Sequence, residues 1–155
     1  MALQAKVLTV SDGVAAGTRE DRSGYALVTR LTEAGFDVVD RQFAPDGVDA
    51  VSETLVALCE GFVGLVVTTG GTGFGPRDLT PEGTKAILER DAPGLAEAMR
   101  LVSPLGRLSR AVAGTRGQAL VLNTPGSPSG AVETLEAVLE VLPHALDLLS
   151  GGHPH

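Results

Sequence analysis

Residues 62–69 read Phe-Val-Gly-Leu-Val-Val-Thr-Thr, and Val63, Leu65, Val66 and Val67 leave no polar face before the closing threonines. A strand that meets water on one side alternates polar and apolar residues. A strand without that alternation is covered on both sides, as in a parallel sheet layered between helices. The segments before it fit the same plan. Residues 7–10 are a short apolar run closed by Ser11-Asp12-Gly13, a first strand feeding a charged loop over 12–22. Ser23 is placed to cap a helix that puts Leu27, Leu31 and Ala34 on one face and stops at Gly35. Residues 36–39 read as a second strand. Pro45-Asp46-Gly47 then turns the chain into a helix with Val48, Val51, Leu55 and Leu58 at three- and four-residue spacing, ended by Gly61. The order strand, helix, strand, helix, strand predicts an α/β three-layer sandwich with a mostly parallel central sheet and helices on both faces.

Thr80-Pro81-Glu82 is a helix start, with Thr as cap, Pro at the first helical position and Glu near the positive helix end. A short helix follows over 94–101. Residues 110–115 and 118–123 read as two strands around Arg116-Gly117, a small antiparallel hairpin. The last helix carries Val132, Leu135, Leu139, Leu142, Leu146 and Leu149 on one stripe, and Pro143 should kink or divide it. At 155 residues the chain reads as a single domain spanning 1–155, with a frayed tail over 151–155.

Acidic residues number 19 against 12 basic, a formal net charge of −7, and Lys6 and Lys85 are the only lysines. That balance argues against nucleic acid as a partner. Cys59 is the only cysteine, so there is no disulfide framework, and its apolar neighbours predict a small buried hydrophobe. The opening residues carry no signal-peptide pattern and no apolar run approaches the ~20 residues that cross a bilayer. A cytoplasmic protein with no membrane contact is the expectation. His144, His153 and His155 fall in the last helix and the tail and suggest no catalytic or metal role.

Chemistry concentrates after the third strand. Gly70, Gly71, Thr72 and Gly73 follow its carboxyl end, where open parallel sheets place their ligand crevice. Glycines reach the backbone angles of a tight anion nest and put no Cβ before a phosphate. The hydroxyls of Thr69 and Thr72 add donors. The spacing matches neither a Walker A loop nor a dinucleotide fingerprint. Asp78 lies between this turn and the next helix. A carboxylate repels phosphate directly, so it suits a magnesium ligand or a base, or else a local turn cap. Arg77 reads as a phosphate neutraliser or an ordinary surface residue. Asp12 and Asp46 follow the first two strands on the same sheet edge, and with Asp78 they can form a carboxylate cluster for a divalent ion; each also reads as a turn residue. Asn123-Thr124-Pro125-Gly126-Ser127-Pro128 again leaves a strand and opens a helix, a second anion-loop candidate. Ser109 and Arg110 precede a strand as a further candidate binding pair.

Several of these blocks together resemble the molybdenum-cofactor biosynthesis family of MogA and MoaB, and the similar G domains of gephyrin and plant Cnx proteins. The resemblance rests on Leu8-Thr9-Val10-Ser11-Asp12, Pro45-Asp46, residues 68–82, residues 93–100, Leu108-Ser109-Arg110 and residues 122–128, in that order over nearly the whole chain. It implies molybdopterin adenylyltransferase activity: AMP passes from Mg-ATP to the terminal phosphate of molybdopterin and pyrophosphate leaves. The alternative it allows is a non-catalytic molybdopterin carrier of the MoaB type. It further implies Asp46 and Asp78 as the essential carboxylates; the residues themselves suggest that Asp78, with Asp46 or Asp12, holds Mg²⁺ between the phosphates. Binding positions would be Ser11, Asp12, Thr69, Gly70, Gly71, Thr72, Gly73, Ser109, Arg110, Asn123, Pro125, Gly126 and Ser127. A homotrimer and a molybdate-inserting partner protein are implied as well.

Overall fold

The strand that lacks a polar face is buried at all six of its positions. Around it the computed structural model, which describes residues 2–152, arranges the following elements. In chain order they are β1 (Gln4–Val10), α1 (Asp12–Ala15), α2 (Arg22–Glu33), β2 (Asp37–Ala44), α3 (Val48–Cys59), β3 (Gly64–Thr69), α4 (Thr80–Lys85), β4 (Arg90–Asp91) and α5 (Pro93–Arg100). A 3₁₀ turn (Pro104–Leu108), β5 (Ala113–Arg116), β6 (Ala119–Thr124), α6 (Pro128–Glu136), a second 3₁₀ turn (Leu139–Val141) and α7 (Leu142–Leu149) complete the chain. The strands form one sheet in the order β2-β1-β3-β6-β5-β4. The first four of these are parallel, while β5 runs antiparallel to β6 and β4 antiparallel to β5. The expected mostly parallel sheet, two helical layers and hairpin are all present.

Alternate residues of each inner strand face opposite helical layers. Val7, Leu65, Val67, Leu120 and Leu122 pack against α2, α5, α6 and α7 through Leu27, Leu31, Met99, Leu135, Leu142 and Leu146. Leu8, Val10, Val66 and Val121 pack against α3 through Val51, Leu55 and Leu58. Each such Val or Leu contributes about 1.5–3 kcal/mol of transfer free energy when fully buried. Cys59 joins the α3 layer as a buried free thiol, and that burial pushes its pKa up to about 11. Its expected role as a small hydrophobe holds.

Several boundaries differ from the sequence expectation, each for a physical reason. β2 runs to Ala44 rather than residue 39, because an edge strand keeps its ladder to β1 while Arg41, Gln42 and Phe43 stay exposed. The 12–22 loop contains α1, a single turn capped by Ser11, whose Oγ accepts from the Val14 N–H at 3.3 Å. Asp21, not Ser23, caps α2: its Oδ1 accepts from the Gly24 N–H at 3.0 Å, and Ser23 is buried inside the first turn. Thr80 is the first residue of α4 rather than its cap. The last helix is divided, but the break falls at residues 137–141, and Pro143 sits in the first turn of α7, where its missing N–H leaves no bond unmade. The buried stripe uses Ala131 and Val138; Val132 is only half-buried. Gly151 and Gly152 donate back to Leu148 O and Asp147 O. His153 and His155, and the rest of the expected frayed tail, lie outside the described residues. No helix among the described residues is long and apolar enough to cross a membrane.

Candidate functional site

The crossover pattern fixes where a ligand can enter. From β1 the chain passes through α2 to β2 on one side. It then returns through α3 past β1 to β3, and β6 lies on the far side. The loops leaving the carboxyl ends of β1 and β3 diverge, and a crevice opens between them. A cavity of about 410 Å³ occupies that point, lined by Ser11, Asp21, Asp46, Thr69 and Gly70 among others. A second, of about 660 Å³, lies beside β6, α5 and α6, with Met99, Val102, Leu105 and Leu108 giving it an apolar wall. Gly71, Asp78, Gly126 and Ser127 line both. Two cavities of small-molecule size therefore meet at a single wall made from the two glycine-bearing loops.

The first loop needs glycine on geometric grounds. Gly70 has φ +101°, and a Cβ there would lie 2.3 Å from the Val10 carbonyl oxygen; Gly71 has φ +68°, and its Cβ would lie 2.2 Å from Thr80 Oγ1. The turn is tied down through its carbonyls. The Thr80 N–H donates to Gly71 O at 3.1 Å and the Arg110 N–H to Thr72 O at 2.9 Å. The N–H groups of Gly71, Thr72 and Gly73 donate to no acceptor among the described residues. A run of free N–H groups on a fixed turn is an anion nest. The second loop is latched to the first, since Thr69 Oγ1 donates to Pro125 O at 2.7 Å. Ser127 Oγ accepts from the Gly130 N–H at 3.1 Å and caps α6, whose N-terminus opens at both cavities.

Asp78 stands at the shared wall with Oδ2 accepting from the Gly75 N–H at 2.8 Å. Arg110 holds this segment from behind. Its Nε donates to Gly73 O at 2.8 Å, its Nη2 to Asp78 O, and its Nη1 pairs with Glu82. The guanidinium keeps the Glu82 carboxyl below the usual carboxylate range. Arg110 was expected to bind ligand; its donors are committed to shaping the turn. Ser109 lines the larger cavity, with Oγ accepting from the Ala111 N–H at 3.2 Å. Asn123 is buried, and its Nδ2 donates to Thr68 Oγ1 and Thr84 Oγ1 at 2.9 and 3.0 Å while Oδ1 accepts from the Val112 N–H. Its side chain locks β6 to β3 and α4 beneath the cavity floor.

At the ends of β1 and β2 two carboxylates are bound reciprocally. The Asp12 N–H donates to Asp46 Oδ2 and the Asp46 N–H to Asp12 Oδ1, both at 3.1 Å. Arg77 clamps the pair, donating to Asp12 Oδ2 at 2.7 Å and to Asp46 O at 3.0 Å. The hydrogen bond from Arg77 lowers the Asp12 pKa. Asp46 moves the other way: burial raises its pKa, and the negative charges of Asp12 and Asp78 add to that. The expected three-carboxylate cluster is not assembled. Asp12 is committed to Arg77, and among the described residues no three His, Cys, Asp or Glu side chains are arranged to hold a metal. Asp46 and Asp78 remain, close enough that each charge opposes the other. That donor set fits a divalent ion of the magnesium kind, which takes one or two carboxylates and completes its shell with substrate phosphates and water.

The smaller cavity's far wall holds a residue that no motif marks. Asp21 is nearly buried there, accepting from the Thr9 hydroxyl at 3.0 Å and from Arg41 at 2.7 Å. The sequence reading gives the helix cap to Ser23 and assigns Asp21 no role; an Asp just before a helix is the signal that could have found it. Of the larger cavity's 99–108 wall, the blocks at 93–100 and 108–110 carry the family resemblance, while Val102 and Leu105 between them fall in no motif.

Comparisons with known proteins agree on one family. Residues 6–144 match the family model described as "Probable molybdopterin binding domain". The chain is similar to the molybdopterin adenylyltransferase of Helicobacter pylori strain J99, 38% identical over 154 residues, covering 95% of this chain and 88% of that protein. It is 36% identical over 169 residues to the molybdopterin adenylyltransferase of Escherichia coli K12, covering 96% and 86%. Among solved structures, the molybdopterin biosynthesis enzyme MoaB of Thermus thermophilus superposes with a TM-score of 0.89 at 48% identity, covering 96% of this chain and 97% of that one.

Proposed function

The chain belongs to the molybdopterin-binding domain family of molybdenum-cofactor biosynthesis, and from that premise we propose that it is a molybdopterin adenylyltransferase. A terminal phosphate oxygen of molybdopterin bonds to the α-phosphorus of ATP, the bond from that phosphorus to the bridging oxygen breaks, and pyrophosphate leaves. A phosphate monoester is largely doubly ionised at neutral pH, since its second pKa is about 6. The nucleophile therefore needs no base. What the reaction needs is two polyanions held in line and their repulsion relieved. The free N–H groups of Gly71, Thr72 and Gly73 and the N-terminus of α6 after Ser127 suit the phosphates. Ser11, Thr69, Gly70, Pro125 and Gly126 frame them, Ser109 borders the larger cavity, and Asp12 acts through its bonds to Asp46 and Arg77. The observation that carries the reading is the wall shared by both cavities, where the nest and Asp78 stand together.

Asp46 and Asp78 are the residues that would hold Mg²⁺, which supplies positive charge between the phosphate groups. The two carboxylates are the essential pair in this reading, with Asp12 and Arg77 fixing Asp46. The exposed Phe74, Leu101 and Leu105, at 71%, 83% and 75%, offer apolar surface that a homotrimer would cover. A cytoplasmic location and transfer of the product to a molybdate-inserting partner complete the reading. The test is incubation with molybdopterin and Mg-ATP. Pyrophosphate release in step with adenylylated pterin supports the enzyme. Pterin binding with no pyrophosphate would instead make the chain a carrier.

A further inference from the structure

We propose that Thr80 is a positioning residue for Asp46, an inference that rests on the adenylyl-transfer reading for its kinetic consequence and on geometry for its contact. Thr80 is completely buried, and its Oγ1 is the only buried side-chain nitrogen or oxygen among the described residues that lacks a hydrogen-bond partner. Native proteins rarely keep such a group without use, since a valine of the same shape avoids the desolvation penalty. The hydroxyl is held at the site: the Thr80 N–H donates to Gly71 O at 3.1 Å, which seats the residue directly under the glycine turn.

The neighbour across the gap is Asp46. A Cβ built on Gly71 would lie 2.2 Å from Thr80 Oγ1 and 3.3 Å from Asp46 Oδ1, so both oxygens border the one point that Gly71 leaves empty. Asp46 Oδ2 already accepts from the Asp12 N–H, while Oδ1 accepts from no donor among the described residues. A donor without an acceptor and an acceptor without a donor therefore border the same empty point, which a side chain on residue 71 would fill. When the reactants occupy the site, the Thr80 hydroxyl donates to Asp46 Oδ1 and fixes the direction of that carboxylate. A hydrogen bond to an ionised acceptor in a poorly solvated place is among the stronger ones available to a hydroxyl. Thr80 itself touches no reactant.

The experiment compares wild type, Thr80→Val and Thr80→Ser as full chains, with Thr80→Ala added in case valine does not fold. Two readouts are taken: kcat and KM for ATP in adenylyl transfer, and the ¹³C resonance of the Asp46 carboxyl with Mg²⁺ and a non-hydrolysable ATP analogue, assigned by its loss in Asp46→Asn. Thr80→Val is expected to melt at or above the wild-type temperature, to lose about tenfold in kcat with KM within about twofold, and to shift the carboxyl resonance. Thr80→Ser is expected to restore both readouts. Wild-type kcat in Thr80→Val, or a loss of kcat with an unmoved resonance, overturns the assignment. If wild type itself releases no pyrophosphate, the functional reading fails, and the carboxyl resonance still decides whether Thr80 pairs with Asp46.

Discussion

The β1/β2 end and the β3/β6 end of one sheet edge solve opposite problems. At β1 and β2 the charged groups are tied to one another: Asp12 and Asp46 exchange backbone hydrogen bonds, and Arg77 clamps both. At β3 and β6 the carbonyls are tied down but the N–H groups of residues 71–73 are left open. The first end is a closed lattice of side-chain charge and the second an open array of backbone dipoles. A site for two anions needs both. The backbone array binds without a charged side chain to desolvate, and the charge lattice fixes the direction of a carboxylate through its hydrogen bonds.

The sharpest way to break the contrast is to fill the open end. Gly70→Ala forces an alanine to φ +101° and its Cβ to 2.3 Å from the Val10 carbonyl. The expected loss is about 3–5 kcal/mol of stability, read by denaturant unfolding. Asp78→Asn is the next largest change. Its amide oxygen can still accept from the Gly75 N–H, so the fold should survive with an unchanged melting temperature. Pyrophosphate release should fall at least about a hundredfold, or ~2.7 kcal/mol of transition-state stabilisation.

Asp46→Asn separates stability from function. A carboxyl whose folded pKa is raised contributes stability that is present below its unfolded pKa and lost as pH rises through the folded value. At pH 7 the ionised group therefore opposes folding. The variant should be as stable as wild type or slightly more, within about 0.5 kcal/mol, while adenylylation is lost; melting curves at pH 4 and pH 7 check the sign. Arg77→Ala is expected to have the smallest effect on melting, because its pair with Asp12 is exposed to solvent. Asp12 has a lowered pKa, so the ion pair is fully present above the usual carboxylate value of 3.8 and lost as pH falls through the folded value. The variant should flatten the acid side of the melting-temperature profile below about pH 4 and leave pH 7 nearly unchanged.

The same contrast explains what could be read from the chain. The open end was legible because backbone geometry leaves a mark in residue type: an apolar run, then glycines, then Thr-Pro-Glu. The closed end was legible only in part. Asp12 and Asp46 follow strands and so had to lie on the site's edge, but the partner that commits Asp12, Arg77, is 65 residues away. Arg41, which pairs with Asp21, is 20 residues distant on an edge strand whose polar stretch hid it. The side chains of Asn123 and Arg110 bond to Thr68, Thr84, Gly73 and Asp78, partners distant in the chain, so their structural part left no mark in local residue type. The apolar wall from Met99 to Leu108 passes from the end of α5 through a turn, and only its place beside α6 and β6 makes it a cavity.

The central claim is that open backbone N–H groups, not charged side chains, take the phosphates. Amide ¹H–¹⁵N spectra recorded during titration with pyrophosphate and then Mg-ATP test it directly. The account predicts the largest shifts at Gly71, Thr72 and Gly73, with small shifts at the Asp12 and Asp46 amides that are already bonded to each other's carboxylates. Unmoved amides at 71–73 under saturating ligand, with the changes centred on another surface, would contradict it.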